Sequence, residues 1–297
     1  MQPTITIGIP TYKRPRQLAR LLGQLVDSKK LCPWLQVLVL DDSGDQEAHA
    51  VFHQYCQDSQ FAQLVSNPEN QGYPRSLIRL IEECRSDYLV LLADDDHIQL
   101  ASLDGLRGFL ESETPDFIST PWLRRTGSGN RYRLASDRNR TGEINPRYAM
   151  QAAGHAPGLI MRTGAVLPYL SLLRDRLISG CAIAATYPQV ILLCELLITG
   201  ARCVHFTKPL VQEGDRCTSE IRDPDGEHYK SVPSRIQQMA SMDRYLMDKP
   251  SGHVQEELLL GAREHLLRKV LRVPPGLRVR GLLNAGPKSF SRRIFSS

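Results

Sequence analysis

Three consecutive carboxylates, Asp94, Asp95 and Asp96, stand at the end of the apolar run Leu89-Val90-Leu91-Leu92-Ala93. Side by side they cannot all ionise without a counter-charge. A hard divalent cation, Mg²⁺ or Mn²⁺, supplies one, because such ions take oxygen ligands and share them with substrate phosphates. A second acidic pair, Asp41-Asp42, closes the run Leu35-Gln36-Val37-Leu38-Val39-Leu40, and the polar stretch Thr11-Tyr12-Lys13-Arg14 follows Thr4-Ile5-Thr6-Ile7-Gly8-Ile9-Pro10. An acidic triplet alone is equally a solvated turn. What decides is whether the chain brings the three clusters together.

The elements that would position them read as follows. Thr4–Pro10 alternates and is rich in β-branched residues, so it predicts a strand. Pro15 suits the first turn of a helix, and Leu18, Leu21, Leu22 and Leu25 mark one buried helical face. Leu35–Leu40 is a second strand, Ala48–Tyr55 a helix, and Phe61–Ser66 a third strand. Asn67–Gly72 is a loop by composition, and Leu77, Leu80, Ile81 and Cys84 have helical spacing. The strand that carries the triplet comes next. This alternation predicts an α/β fold with a mostly parallel central sheet flanked by helices. In such sheets ligands bind beyond the carboxyl ends of the strands, so three polar strand ends would converge on one crevice.

Beyond residue 100, Leu103, Leu106 and Leu110 predict a helix and Phe117–Thr120 a strand. Arg124–Gly142 reads as a long loop or hairpin, and Ala156–Met161 as a short apolar segment after the turn-like Gly154-His155. Thr163–Leu173 looks helical, Pro188–Thr199 is an apolar helix stopped by Gly200, and Ala201–Phe206 is a strand. From about Asp225 the pattern is helical and more polar, through Leu246 and again over Val254–Leu271. Pro274-Pro275-Gly276 ends it.

The 297 residues are 41% hydrophobic and 23% charged, an ordinary globular composition. No run approaches the ~20 apolar residues of a membrane span. Met1–Thr4 leads directly into a strand without the features of a signal peptide, so the expected location is cytoplasmic. The seven cysteines are scattered, without a Cys-x-x-Cys pair, which argues against a zinc site or disulfide framework. Nine of the 37 Lys/Arg residues lie between Arg263 and Ser297, against one acid, Glu264. This basic tail, with Leu266, Leu267, Val270, Leu271, Leu282, Leu283, Phe290, Ile294 and Phe295 interleaved, reads either as an anchor to an anionic membrane surface or as a packed helix with a loose end. The body shows no nucleic-acid footprint.

Taken in order, Ile7–Arg14, Val39-Leu40-Asp41-Asp42-Ser43, Asn70-Gln71-Gly72 and Leu91–Asp96 resemble the signature of the family 2 glycosyltransferases of GT-A fold. The resemblance covers the first hundred residues and continues less specifically to about Leu210. It implies a nucleotide-sugar donor in the first half. Pro10, Thr11, Tyr12 and Arg14 match the position beside the base, and Asp42 matches the acid that accepts a hydrogen bond from it. Gly72 and Arg75 match the adjoining loop and a base- or phosphate-contacting arginine. Asp94-x-Asp96 matches the Asp-x-Asp element, with Asp94 and Asp95 nearer the donor and Asp96 the metal ligand. His155 and Gly158 match the loop that receives the acceptor. The resemblance also implies metal-assisted, inverting transfer to a saccharide or lipid-linked acceptor in surface-polysaccharide synthesis. The expected divisions are a catalytic domain over 1–222 with donor (1–100) and acceptor (101–222) halves, a helical extension over 223–273 and a basic tail over 274–297.

One departure matters. The family's inverting members carry an acid at the start of the helix before the Gly200-like stop, where it deprotonates the acceptor hydroxyl. Here that position reads Thr186-Tyr187-Pro188-Gln189. Glu195 is the first candidate to replace it, with Asp175, Glu213 and Asp215 as others. The same gap motivates a second reading, a non-catalytic binder of the same fold. A receiver domain is excluded by size. A dinucleotide oxidoreductase and a P-loop NTPase are excluded because the first turn lacks their glycines.

Overall fold

The computed structural model describes residues 2–28, 32–56, 61–126, 131–134, 141–214 and 228–271. The chain begins with β1 (Ile5–Thr11), α1 (Pro15–Ser28), β2 (Leu35–Asp41), α2 (Glu47–Cys56), β3 (Ala62–Ser66), α3 (Tyr73–Glu83) and β4 (Tyr88–Leu91). It continues through β5 (His97–Ile98), α4 (Leu103–Glu113), β6 (Phe117–Ser119), β7 (Trp122–Thr126), β8 (Arg131–Leu134) and β9 (Gly142–Glu143). Then come α5 (Ala149–Ala153), β10 (Ile160–Arg162), α6 (Thr163–Val166), α7 (Leu170–Ile178), α8 (Ala182–Thr186), α9 (Pro188–Ile198), β11 (Cys203–His205) and β12 (Val211–Gln212). Two longer helices follow, α10 (Val232–Met247) and α11 (His253–Leu271).

The main sheet has the order β3-β2-β1-β4-β10-β6-β11-β9. β1, β2, β3 and β4 are parallel, as the alternation predicts. The segment at Ala156–Met161 turns out to supply β10, which inserts antiparallel between β4 and β6. Alternate residues of the strands feed two apolar clusters, one on each face. Ile5, Ile7, Ile9, Val37, Val39 and Val90 pack against α1, α2 and α4. Leu38, Leu40, Leu89 and Leu91 pack against α3, α5 and α9, and α10 and α11 join this second cluster through Met242, Tyr245, Leu258 and Leu266. The apolar character of α9 has its reason here, since Pro188 through Leu197 are all buried.

A second, small sheet has the order β5-β12-β7-β8. It joins residues 97–98 to 211–212, and these to 122–123. Its effect is to hold the chain just after the acidic triplet against the chain near residue 213. Among the described residues, no helix is long and apolar enough to cross a membrane. The basic tail after Leu271 lies outside the described residues, as does Asp215.

Candidate active site

β1, β2 and β4 run in parallel, so their carboxyl ends open on the same edge of the sheet. Thr11 lies in register with Asp41, and Asp42 N donates to Thr11 O at 2.9 Å. Leu92 N donates to Gly8 O at 3.0 Å, and a turn closed by Asp96 N on Ala93 O then projects the triplet past the sheet.

The three acids are held in three different ways. Asp94 is buried; Thr11 Oγ1 donates to its Oδ2 at 2.8 Å and Arg14 Nη1 to its Oδ1 at 2.9 Å. Burial raises its pKa, against the pull of Arg14 and Thr11. Asp95 is more open: Arg14 Nη1 lies 3.4 Å from its Oδ2, and Arg20 Nη2 grips its carbonyl at 2.6 Å. Asp96 is buried, and Gly214 N donates to its Oδ1 at 3.1 Å. Burial, with the charges of Asp95, Glu213 and Asp94, pushes the Asp96 carboxyl up to about 7 despite that hydrogen bond. Gly214 is required by space. A Cβ there would lie 1.7 Å from Asp95 O, far inside contact distance.

This arrangement fits a divalent cation. Asp96 is crowded by three other acids and has no cation partner among the described residues, and its oxygens are hard ligands of the kind Mg²⁺ and Mn²⁺ take. Among the described residues, no three acidic, His or Cys side chains converge as a complete metal cage. A cation here therefore needs further oxygens, which is the habit of Mg²⁺ bound by one or two carboxylates plus substrate phosphates.

Asp42 organises the neighbouring loop. Its Oδ1 accepts from Asn67 Nδ2 at 2.7 Å and Gln71 N at 2.8 Å, and its Oδ2 accepts from Gly72 N at 2.8 Å. Gly72, at φ 77°, turns the loop into α3. Arg79 backs it, donating to Ser66 O at 2.8 Å and to Asn67 Oδ1. Lys13 adopts a left-handed φ of 51° while its N–H donates to Ser43 Oγ at 2.7 Å, which ties the first strand end to the second. Tyr12 is exposed, Pro10 is half-buried, and Arg75 is exposed on the first turn of α3.

Gly158 N donates to Leu91 O at 2.8 Å, so the 154–158 loop lies alongside the end of β4. Thr120 Oγ1 donates to Gly158 O at 2.8 Å. His155 stacks on Trp122, ring centroids 4.4 Å apart and planes 8° apart. Gln189, at the start of α9, donates to Ala153 O at 3.0 Å, and Tyr73 OH reaches its Oε1 at 3.4 Å.

The structure separates the candidate bases. Glu195 is not turned toward the crevice. It is buried in the helical core, where Tyr245 OH donates to Oε1 at 2.6 Å and Lys249 Nζ forms an ion pair with the same oxygen. These partners argue for a packing role rather than the expected role as base: the carboxylate is matched to a largely buried ammonium. Asp175 is exposed on α7. Glu213 lies with the triplet, close enough for its charge to act on Asp96. Sequence reasoning missed Gly214 and the donors Asn67 and Arg20. An isolated glycine, an asparagine in a polar loop and an arginine on a helix carry no local signal of a partner 118, 25 or 75 residues away.

A family model described as Glycosyl transferase family 2 matches residues 6–165. The structure of TarS 1–349 from S. aureus, in complex with UDP-GlcNAc, superposes with a TM-score of 0.64 at 16% identity, covering 92% of this chain and 76% of that one. The mannosyltransferase PcManGT from Pyrobaculum calidifontis, in complex with GDP-Man and Mn²⁺, gives 0.56 at 13% identity, covering 100% and 82%. No curated protein sequence matches. At these identities the structural likeness shows the shared GT-A fold.

Proposed function

The chain belongs to glycosyl transferase family 2, enzymes that take a sugar from a nucleotide-sugar donor; from that premise we propose that the donor lies across the ends of β1, β2 and β4 and that its sugar passes, with inversion, to a saccharide or lipid-linked saccharide in surface-polysaccharide synthesis. The observation that carries the placement is Asp96, a buried acid with no cation partner among the described residues, at a strand end where a diphosphate can supply one side of the coordination.

In this reading Pro10, Thr11, Tyr12, Arg14 and Arg75 line the nucleotide side. Asp42 fixes the 67–72 loop as its wall, and one lone pair on Oδ2 is left for the base. Arg14 and Thr11 oppose the rise that burial imposes on Asp94 and hold its carboxyl still, so that it can meet the donor without reorganising. Arg20 and Gly214 hold the backbone of Asp95 and the carboxyl of Asp96 in place. Asp96, with Glu213 beside it, would hold the cation. A cation held there would supply Lewis-acid stabilisation for the charge that builds on the leaving diphosphate. His155 on Trp122 gives the acceptor side a flat wall, and Gly158, at φ 84°, lets the loop pass close to Thr120 and Val211.

Calorimetry against UDP-, GDP-, CDP- and dTDP-sugars, with and without Mn²⁺, tests the reading. One nucleotide sugar should bind, and D96N should abolish the Mn²⁺ dependence and lower turnover by about a hundredfold or more, the scale of losing one preorganised electrostatic group. Binding and turnover unchanged in D96N would remove Asp96 from the metal role.

A further inference from the structure

Two residues other than glycine have a positive φ among the described residues, Lys13 at 51° and Thr114 at 42°. Thr114 is the C-cap of α4, a usual place for a left-handed residue. Lys13 is not at a helix end. It stands in the short turn between the last residue of β1, Thr11, and the first of α1, Pro15. For a lysine this conformation is strained, because it crowds Cβ against the following carbonyl oxygen, whereas glycine adopts it freely. Such a residue persists only where its surroundings fix it, and binding sites are where such strain collects.

What fixes it is a side chain. β1 and β2 pair in register as far as Thr11 and Asp41, and Asp42 N donates to Thr11 O at 2.9 Å. Past that pair, the acceptor for Lys13 N is Ser43 Oγ at 2.7 Å, so a hydroxyl takes over where the backbone ladder stops. Ser43 is itself fixed, its N–H donating to Oδ1 of the fully buried Asp41 at 2.9 Å. The lysine side chain has a different use: its Nζ lies 5.5 Å from the centre of the Tyr12 ring.

The turn at Lys13 decides where its two neighbours stand. Pro15 disfavours a helical conformation at Arg14, so the chain has to change direction before that residue. After the change Arg14 reaches Asp94 at 2.9 Å, while Tyr12 keeps an exposed ring at the strand end. We propose that Ser43 is a positioning residue for donor binding: its hydroxyl holds Lys13 in the strained turn, and the turn presets Tyr12 and Arg14 for the nucleoside diphosphate. A preset site binds more tightly because less has to be ordered on binding, so Ser43 acts without touching the donor. The part played in donor binding rests on the functional reading above; the clamp on Lys13 does not.

The test is a set of double-mutant cycles on the full chain. S43A is made in the wild type, in K13A and in K13G, because alanine keeps the strain at residue 13 and glycine removes it. Calorimetry against UDP, GDP, CDP and dTDP with Mn²⁺ identifies the nucleotide the wild type binds, and that nucleotide is carried through the variants. S43A should weaken its binding about three- to tenfold, the scale of one hydrogen bond. The loss should recur in K13A and shrink to less than about twofold in K13G. S43A binding as tightly as the wild type overturns the proposal. So does an equal loss in K13A and K13G, since a hydroxyl with another purpose would not respond to the residue at 13. Urea midpoints of the same variants read the clamp without a ligand. K13G should be more stable than K13A, and S43A should lower the midpoint in K13A more than in K13G. Where S43A does not fold, the single variants decide: K13G no more stable than K13A overturns the strain. If none of the four nucleotides binds the wild type, the functional reading fails, and the urea cycle alone upholds or overturns the clamp.

Discussion

Asp96 binds a proton more tightly in the fold than in the unfolded chain, its pKa rising to about 7 because burial and neighbouring acids disfavour the charge. The sign follows. The stability this group contributes is complete below the unfolded value near 4 and is lost as pH climbs through 7. In the proposed function a cation takes the place of the proton, so Mn²⁺ affinity should rise between pH 6 and 8, with proton release on binding at pH 6.5. Calorimetry in buffers of different ionisation enthalpy measures that release, and D96N should abolish it. Gly214 gives a second prediction at this scale. In G214A the new methyl meets Asp95 O and must push the segment away, at a cost of about 1–3 kcal/mol, the usual range for overpacking. Denaturant unfolding should show the loss, and Mn²⁺ affinity should fall with it, because the segment that moves carries the Asp96 hydrogen bond.

The helices pose a different question, since their packing rather than their chemistry decides what they do. Glu195 on α9 and Lys249 just after α10 are both largely buried, so K249M leaves a carboxylate in the core with only Tyr245 to answer it. The expected destabilisation is about 3–5 kcal/mol, the range for breaking a buried pair. The double variant E195Q/K249M should recover much of it, and chemical denaturation of the three proteins checks this. His265 on α11 adds a pH signature. Burial, with Lys269, Arg235 and Arg268, pushes it down to about 3. The stability it contributes is full above 6.5 and is lost as pH falls toward 3, because only the unfolded chain takes up the proton. H265Q should flatten Tm against pH over that interval. The sequence made the strand–helix alternation and the three polar strand ends legible, because β-branched runs and leucine spacing are local signals. It did not show β5 and β12, each two residues long with no period to read, or the antiparallel insertion of β10. Nor did it show that Glu195 faces inward, since its partners Tyr245 and Lys249 come from α10 and the residues just after it, about fifty residues later.

Across the whole molecule, the two apolar clusters lie on opposite faces of one sheet, and α10 and α11 complete one of them. We expect the helical extension, proposed from sequence to begin near residue 223, to be inseparable from the catalytic half. A chain ending at residue 222 would bare the apolar surface that Tyr245, Leu246, Leu258 and Leu266 cover. The close seat of α11 agrees, since a Cβ on Gly261 would lie 2.0 Å from Arg147 O.

The bond from Gly214 to Asp96 spans 118 residues, and the neighbouring strands β5 and β12 are nearly as far apart in the chain. Protein synthesis proceeds from the N-terminus, so the acids Asp94–Asp96 leave the ribosome long before the residues that fix them. A growing chain arrested short of residue 214 has every acid of the triplet but no settled position for the last. Competence to hold a cation should therefore switch on late and abruptly as the nascent chain lengthens, a step that arrested chains of graded length would display.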